Sequence, residues 1–329
     1  MTQVLRSPVA LAALVLTVAL TGAAAAYLVM PGGPRVEFVE YPMTQARDMP
    51  VAVATAPDGT VWFTIDGAAA LGRVRNREVE RLPKPDKSID PLGLAAAPDG
   101  SAWYTDIAAR VISQMTPAGN VSSFRLDTPM VRLGRLAMAP DGAAWFAEAT
   151  AYSITRLKAG ELTRHRFESL SGGPYGVAVA PDGTAWATLQ AGNQLLRITP
   201  DGKVRGFDLP RPGAVPTDIA VAPDGTVWFL EFRGNSIGRF KDGRFASFPI
   251  AQENAGLTGI AVAADGTVWF GMLRAGSLGR LREGRLDTFE LPREGARPYS
   301  VAVDPAGNVW YADISGYVGM LPARYARIS

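Results

Sequence analysis

The sequence predicts an all-β fold, a seven-bladed β-propeller of four-stranded blades preceded by an N-terminal signal or membrane-anchor helix. Three observations support this prediction. All seven tryptophans of the 329-residue chain share one period, a glycine lies at a fixed distance before each of them, and a long uncharged apolar run stands at the N-terminus. We therefore divide the chain into a leader, residues 1–34, and a propeller, residues 35–329.

The leader carries no charged side chain between residues 7 and 34, and Arg6 supplies a positive flank. Residues 9–20 have the length of a signal-peptide core, and residues 23–26 offer small side chains for cleavage. The apolar run continues to Met30, which makes it about long enough to span a bilayer as a helix. A cleaved signal and a retained anchor both remain open. Either one places the propeller outside the cytoplasm, in the periplasm or secreted.

The tryptophans recur at intervals of 41 or 42 residues. They are Trp62, Trp103, Trp145, Trp186, Trp228, Trp269 and Trp310. A period of this length with four short strands per unit is typical of a β-propeller blade, whereas leucine-rich solenoids have shorter periods. In the fifth repeat we place the strands at residues 217–222, 226–231, 236–240 and 244–249. Seven repeats predict seven blades.

Each repeat also carries its own turn signal. A glycine stands three residues before every Trp, and in six repeats an aspartate precedes it, as in Asp224-Gly225. Asp-Gly between two apolar runs predicts a hairpin, because glycine supplies the positive φ of the turn. Eight residues before every Trp is an alanine, which suits a crowded innermost strand. The third strand carries a recurring Gly-Arg pair, as at Gly238-Arg239.

Two segments compete for the outermost strand of the last blade. Residues 36–41 resemble a fourth strand although they precede the first Trp repeat, and residues 324–329 also align with a fourth strand. We favour the N-terminal segment, because pairing the two chain ends removes the exposed edges of an open ring. The C-terminal tail is then expected outside or beside that blade.

The composition excludes several kinds of chemistry. The absence of cysteine excludes disulfides, thiol catalysis and Cys-ligated zinc, and a single histidine excludes a multi-His metal site. A formal net charge of +2, with 33 basic and 31 acidic residues interspersed, gives no electrostatic reason to expect a nucleic-acid partner. His165 takes the aromatic position of an outer strand, so we expect it to pack rather than react. We expect a monomer that contacts a membrane only through residues 7–30, if they are retained.

Chemistry is expected at one mouth of the central channel. If the Asp-Gly hairpins lie on one face of the ring, the residues 11 before and three after each Trp should surround the mouth on the other face. The residue types in these two columns differ from repeat to repeat, although the rest of the repeat is regular. Such variable positions are where a binding or catalytic site is expected. The first column is Val51, Leu92, Gly134, Tyr175, Thr217, Thr258 and Tyr299. The second column is Ile65, Asp106, Glu148, Leu189, Glu231, Met272 and Asp313.

The candidate ligand-binding rim combines these columns with charged neighbours. Carboxylates of the second column could hold a hard cation or act as acid or base, and Glu148, Glu231 and Asp313 are the candidate metal ligands. The alternative is that carboxylates and arginines simply pair around a wet channel. The arginines favour a small-molecule or protein partner with negative charge. The candidate rim is Asp106, Arg132, Arg135, Glu148, Tyr175, Thr217, Asp218, Glu231, Thr258, Arg297 and Tyr299.

Segments such as Pro174-Tyr175-Gly176-Val177, Trp228-Phe229-Leu230-Glu231 and Ser236-Ile237-Gly238-Arg239 recur in related form across residues 36–321. These repeats resemble those of the virginiamycin B (streptogramin) lyase family. The resemblance implies a seven-bladed propeller that linearises a cyclic depsipeptide by elimination, with a magnesium ion and no hydrolysis. In such a reaction a base removes a proton beside a carbonyl, while a cation stabilises the developing negative charge.

The working residues of that family are only partly matched. The resemblance implies Glu-Pro-His-Gly at the start of the last blade and Pro-His in the blade before, where this chain has Arg297-Pro298-Tyr299-Ser300 and Leu257-Thr258-Gly259. Both histidines and the metal-binding glutamate are absent, and Asp313 persists as the acid after the last Trp. The catalytic candidates are Tyr299 and Asp313, although an unperturbed tyrosine titrates near 10. We expect a diverged member that binds a ligand or protein. The alternative is an active carbon–oxygen lyase or lactonase that uses rim carboxylates and a divalent cation.

Overall fold

The computed structural model describes residues 18–20, 23–28, 36–85, 90–127, 132–167 and 172–327. Within these ranges each Trp repeat forms one antiparallel sheet, and the seven sheets confirm the predicted seven-bladed β-propeller. The predicted strands of the fifth repeat agree with the observed ones to within one residue at each end.

The described strands follow the chain blade by blade. Before the first repeat lie β1 (Val18–Leu20), β2 (Ala23–Leu28) and β3 (Val36–Pro42). Blade 1 holds β4 (Met49–Thr55), β5 (Val61–Asp66), β6 (Ala70–Arg75) and β7 (Glu78–Pro83). Blade 2 holds β8 (Pro91–Ala96), β9 (Ala102–Asp106), β10 (Val111–Met115) and β11 (Val121–Arg125). Blade 3 holds β12 (Leu133–Met138), β13 (Ala144–Glu148), the short 3-10 helix Ala149–Ala151, β14 (Ser153–Lys158) and β15 (Glu161–Arg166).

The remaining blades repeat this order. Blade 4 holds β16 (Pro174–Val179), β17 (Ala185–Leu189), β18 (Gln194–Ile198) and β19 (Val204–Asp208). Blade 5 holds β20 (Pro216–Val221), β21 (Val227–Glu231), β22 (Ser236–Lys241) and β23 (Arg244–Pro249). Blade 6 holds β24 (Leu257–Val262), β25 (Val268–Met272), β26 (Ser277–Arg282) and β27 (Arg285–Glu290). The last repeat supplies β28 (Pro298–Val303), β29 (Val309–Asp313) and β30 (Tyr317–Leu321), followed by helix α1 (Ala323–Ala326).

The N-terminal strand closes the ring. Strand β3 pairs antiparallel with β30, with Val39 opposite Met320 and Tyr41 opposite Val318, and so becomes the fourth strand of blade 7. The first strands contact one another around the channel, and β28 contacts β4. The tail after β30 forms α1 beside this blade, and residues 328–329 lie outside the described residues. The predicted choice between the two termini is therefore confirmed.

Most of the predicted leader helix lies outside the described residues. The described parts of residues 1–34 are strands, which corrects the helix prediction there: β1 pairs with β2, and β2 pairs with β3. The physical reason is that β3 is an outermost strand, and the backbone groups on its free edge can accept a further apolar strand. Among the described residues, no helix is long and apolar enough to cross a membrane. Cleavage or retention of the leader stays a prediction.

The recurring glycine of the third strand makes room for the aromatic residue that follows the Trp. Gly279 lies opposite Phe270, and a Cβ on Gly279 would stand 2.1 Å from the phenyl ring. In blade 4 the sizes are exchanged, because Ala187 lies opposite Leu196. The aromatic–glycine pairing recurs at Phe63–Gly72, Phe229–Gly238 and Tyr311–Gly319. In each of these blades the space between the second and third strands is therefore filled by one large side chain, which comes from either strand.

The first strand of every blade is irregular near its start. The pairing register shifts in all seven, for example between Leu133 and Leu136 in β12 and between Pro216 and Ile219 in β20. A β-bulge bends the strand and re-aims its side chains, and bulges are common beside functional sites. The shifted residues are those about ten and eleven positions before each Trp. Several of them therefore turn their side chains into the channel mouth.

Candidate functional site

Two cavities meet at the channel mouth. The first has a volume of about 300 Å³, and Arg135, Asp218 and Thr258 are among the residues that line it. The second has a volume of about 590 Å³ and is lined by residues of blades 2, 3, 4 and 7. Tyr175 and Tyr299 border both cavities. Of the candidate rim, the structure brings together Arg132, Arg135, Tyr175, Thr217, Asp218, Thr258 and Tyr299.

Arg135 is the buried cation of this mouth. Its side chain is only 10% exposed, and its guanidinium carbon lies 6.0 Å from the ring centre of Tyr175 and 5.8 Å from that of Tyr299. Burial lowers the pKa of Arg135, but the charge of Asp218 and the two tyrosines outweigh burial, so the net direction is upward. Its Nε lies 4.0 Å from Oδ1 of Asp218, beyond hydrogen-bond distance, and has no hydrogen-bond partner. Arg135 is thus a permanently charged donor.

Asp218 is held by the backbone. Its Oδ1 accepts a hydrogen bond from the Ile219 N–H at 3.1 Å, and its Oδ2 accepts one from the Ile260 N–H at 3.3 Å. The bond from Ile260 joins blades 5 and 6, and the two bonds together fix the carboxylate beside Arg135. The neighbouring Thr217 hydroxyl oxygen is buried without a hydrogen-bond partner. The two residues of this bulge therefore present one fixed negative charge and one unused hydroxyl.

Tyr299 is a hydrogen-bonding group and a poor base. Burial raises its pKa above the ordinary value near 10, Tyr175 raises it further, and the charge of Arg135 opposes them. The phenol is therefore protonated at neutral pH and can donate a hydrogen bond. Thr258 is occupied, because its hydroxyl donates to the Pro298 carbonyl at 2.8 Å and ties blade 6 to blade 7.

The residues three positions after each Trp do not reach the channel. All seven of them are buried and none lines either mouth cavity, so the prediction that they surround the mouth is wrong. The physical reason is that the second strand of each blade is covered on both faces by neighbouring blades, and only the first strand borders the channel. Arg297 is exposed and lines neither cavity.

The four carboxylates of that column are bonded inside the propeller wall. Their partners are basic side chains in three cases and a serine hydroxyl in the fourth. The pairs are Asp106–Lys84 at 2.9 Å, Glu148–Arg164 at 3.1 Å, Asp313–Arg293 at 2.8 Å and Glu231–Ser247 at 2.9 Å. These groups satisfy one another as structural contacts, although inside the wall and not around a wet channel.

The residues at the mouth do not fit the magnesium ion that the resemblance implies. Among the described residues there is no group of three or more His, Asp or Glu that could hold a metal ion. Within the part of the chain that the structure describes, Asp218 supplies the one carboxylate in the lining of the first cavity, the second cavity is lined by none, and Arg135 Nε lies 4.0 Å from Asp218 Oδ1. A divalent cation prefers six or more oxygen ligands and would meet a fixed positive charge here. Glu148, Glu231 and Asp313 belong to three different blades and have partners of their own.

His165 lies away from the mouth, in an outer strand. Its ring stacks on Trp145, with ring centres 5.4 Å apart and planes 16° from parallel. Other blades stack an aromatic ring on their Trp in the same way, as Phe124 does on Trp103. His165 also lines a groove of about 410 Å³ between blades 3 and 4. Similar grooves recur beside Trp228 and Trp269, so this one follows from the repeat.

Replacing His165 with Phe is expected to preserve the fold and to change only how the stability of the protein depends on pH. Burial is the main cause that lowers the pKa of His165, and Arg156 adds to it, so folding favours the neutral imidazole. The neutral imidazole therefore supports the folded state fully above the pKa of the unfolded chain, about 6.5. This support is lost as the pH falls toward the lower pKa of the folded protein. Urea unfolding at pH 7 and pH 5 should show a smaller loss of stability for His165→Phe than for the wild type. Equal losses would contradict this assignment.

The chain matches the model of the virginiamycin B lyase family over residues 33–157 and 77–324. It belongs to that family. This membership confirms the resemblance predicted from the repeats. A virginiamycin B lyase from Nocardia farcinica is 36% identical over 167 residues, which cover 51% of this chain and 57% of the relative. One from Bordetella pertussis is 51% identical over 43 residues, which cover 13% of this chain and 14% of the relative. The chain thus spans just over half of the first relative.

Solved structures of this lyase family share the fold. A catalytically inactive histidine-to-alanine variant of virginiamycin B lyase from Staphylococcus aureus, with quinupristin, superposes with a TM-score of 0.81 at 25% identity. The match covers 86% of this chain and 98% of that one. A streptogramin B lyase structure gives a TM-score of 0.80 at 25% identity and covers 86% and 96% of the two chains.

Some lining residues of this lyase-family mouth were missed from the sequence. Phe232 and Tyr152 lie in loops after second strands and are 39% and 44% exposed. Phe232 lines the first cavity, with the Arg274 guanidinium carbon 5.9 Å from its ring centre, and Tyr152 lines the second. The available signal was an aromatic residue in a loop just beyond a buried strand. The two predicted columns contain only residues at strand ends, so they exclude these loops.

Proposed function

We propose that this protein is an exported member of the virginiamycin B lyase family that binds a small ligand at its channel mouth and does not perform the elimination. The observation that carries the proposal is the replacement of both expected histidines by Tyr299 and Thr258. Both replacements lie at the mouth, where chemistry would have to occur.

Neither replacement supplies the missing base. The raised pKa of Tyr299 keeps its phenol protonated at neutral pH. The Thr258 hydroxyl already donates to a backbone carbonyl. Asp313 is buried in an ion pair with Arg293 and accepts a hydrogen bond from the Arg297 N–H at 3.0 Å. A general base must be free to reach the proton that it removes, and the hydrogen bond of Thr258 and the buried ion pair of Asp313 prevent this.

The mouth retains the features of a binding site. Its cavities of about 300 and 590 Å³ fall within the range of small-molecule sites. Among the described residues, the exposed large apolar side chains are Tyr152, Val204 and Phe232, and two of these three line the mouth. Exposed apolar surface gathered at a concave site supports ligand binding. Export rests on the uncharged apolar leader.

Fluorescence titration with Nile red, a neutral aromatic dye, tests binding at the mouth. We expect saturable one-site binding by the wild type and roughly thirtyfold weaker binding by the double variant Tyr152→Ala/Phe232→Ala, because each of the two lost aromatic contacts is worth about 1 kcal/mol. Val204→Ala, on an outer strand, is the control and should bind as the wild type does. Equal dye affinity in all three proteins would reject the mouth as the binding site.

A further inference from the structure

We propose that the mouth selects a small ligand with a carboxylate group, which Arg135 binds between Tyr175 and Tyr299. This inference rests on the proposed binding function and names the class of its ligand. It starts from two buried donors that the protein leaves unused. The Arg135 Nε and the Thr217 hydroxyl both lack a hydrogen-bond partner, and both residues line the cavity of about 300 Å³.

An unused buried donor is costly for the folded protein. Leaving a buried polar group without a partner costs about 1–3 kcal/mol, and more for a charged group. Arg135 is nine-tenths buried and positively charged, and its guanidinium is already hydrogen-bonded to Tyr175, so it is the unpaired Nε–H that favours an acceptor from outside the chain. Guanidinium and carboxylate planes match in pairs of parallel hydrogen bonds, which makes a carboxylate the best-fitting acceptor.

The surroundings favour a single negative charge over a double one. Asp218 lies 4.0 Å from Arg135, and its two oxygens stay bound to backbone N–H groups. A carboxylate brings one charge, which meets less repulsion from Asp218 than two charges would, and the protonated Tyr299 can donate a hydrogen bond to it. A phosphate dianion would place a second charge close to Asp218. The site therefore favours a carboxylate over a phosphate.

The rest of the cavity indicates what the carboxylate is attached to. Phe232 exposes its ring there, and Leu257 and Leu273 also line the wall. The volume of about 300 Å³ lies at the lower end of small-molecule sites. An anion at Arg135 with a short aromatic or apolar tail toward Phe232 fits this arrangement.

Isothermal titration with matched probes tests the inference on the full propeller. We expect 3-phenylpropanoate to bind at least tenfold more tightly than its neutral isostere 3-phenylpropanamide and than phenyl phosphate. Arg135→Gln should reduce the preference for the carboxylate over the amide to within about twofold. Arg244→Gln, at the start of an outer strand, is the control and should keep the preference.

Each other outcome overturns the inference. Equal binding of carboxylate and amide by the wild type, tighter binding of phenyl phosphate, a preference retained in Arg135→Gln, or no binding of any probe would reject the carboxylate class. The Nile red titration separates these results from failure of the proposed function, because the dye is neutral and does not need Arg135. If Arg135→Gln does not fold, Thr217→Val provides the second variant and should weaken carboxylate binding more than amide binding.

Discussion

Replacing Glu40 with Ala is expected to lower the free energy of unfolding by about 3 kcal/mol or more. Glu40 lies on β3, the strand that closes the ring, and its side chain is only 4% exposed. One carboxylate oxygen lies 2.8 Å from Arg293 Nε, and the other accepts a hydrogen bond from the buried Tyr311 hydroxyl at 2.8 Å. The substitution would leave Tyr311 without its acceptor and loosen the closing strand. Urea unfolding measures the loss.

The same strand offers a matched control. Glu37 pairs with Arg324, whose side chain is 64% exposed, so Glu37→Ala is expected to cost less than about 1 kcal/mol. Glu40→Gln keeps an acceptor for Tyr311 and should fall between the two. A Glu40→Ala protein no less stable than Glu37→Ala would show that this buried contact does not hold the ring closed.

Replacing Gly279 with Leu is expected to cost about 3 kcal/mol or more, or to prevent folding. Overpacking a core usually costs about 1–3 kcal/mol, and here even the first added carbon would stand 2.1 Å from the buried Phe270 ring. Phe270→Ala alone should cost about 3–5 kcal/mol through the cavity that it creates. Thermal and urea unfolding of each single variant measures these values.

The double variant Phe270→Ala/Gly279→Leu tests the reason for the first loss. Blade 4 carries this arrangement naturally, with Ala187 opposite Leu196. The double variant should therefore be more stable than either single variant, giving a coupling energy of the kind that contacting residues show. If the stability losses of the two single variants simply add in the double variant, the two side chains do not compete for the same space between the second and third strands.

The architecture was predictable because it follows from a period. One Trp and one Gly turn per 41 or 42 residues predict the blade count without any knowledge of packing. The closing strand was predictable for a related reason, since Val36–Pro42 repeats the pattern of a fourth strand and the exposed edges of an open ring need a partner.

The functional side chains were harder to predict because burial depends on contacts between blades. Asp106 and Asp313 look like channel residues when strands are counted, yet Lys84 and Arg293 reach them from the links between blades. The bulge that turns Arg135 into the mouth recurs in every blade, but the residue type at this position changes from blade to blade, so no motif in the sequence marks it. Spacing alone therefore placed six of the seven first-column residues at the two cavities, all but Val51, and misplaced the second column.

Liquid chromatography of virginiamycin B after incubation with the purified protein tests the central claim most directly. The incubation is run with and without millimolar magnesium chloride, beside buffer alone. Because Tyr299 and Thr258 supply no base and the mouth residues do not fit a divalent cation, we expect the cyclic compound to elute unchanged in all three samples. Protein-dependent conversion to the linear product, lost in a folded Tyr299→Phe variant, would contradict the proposed loss of elimination activity.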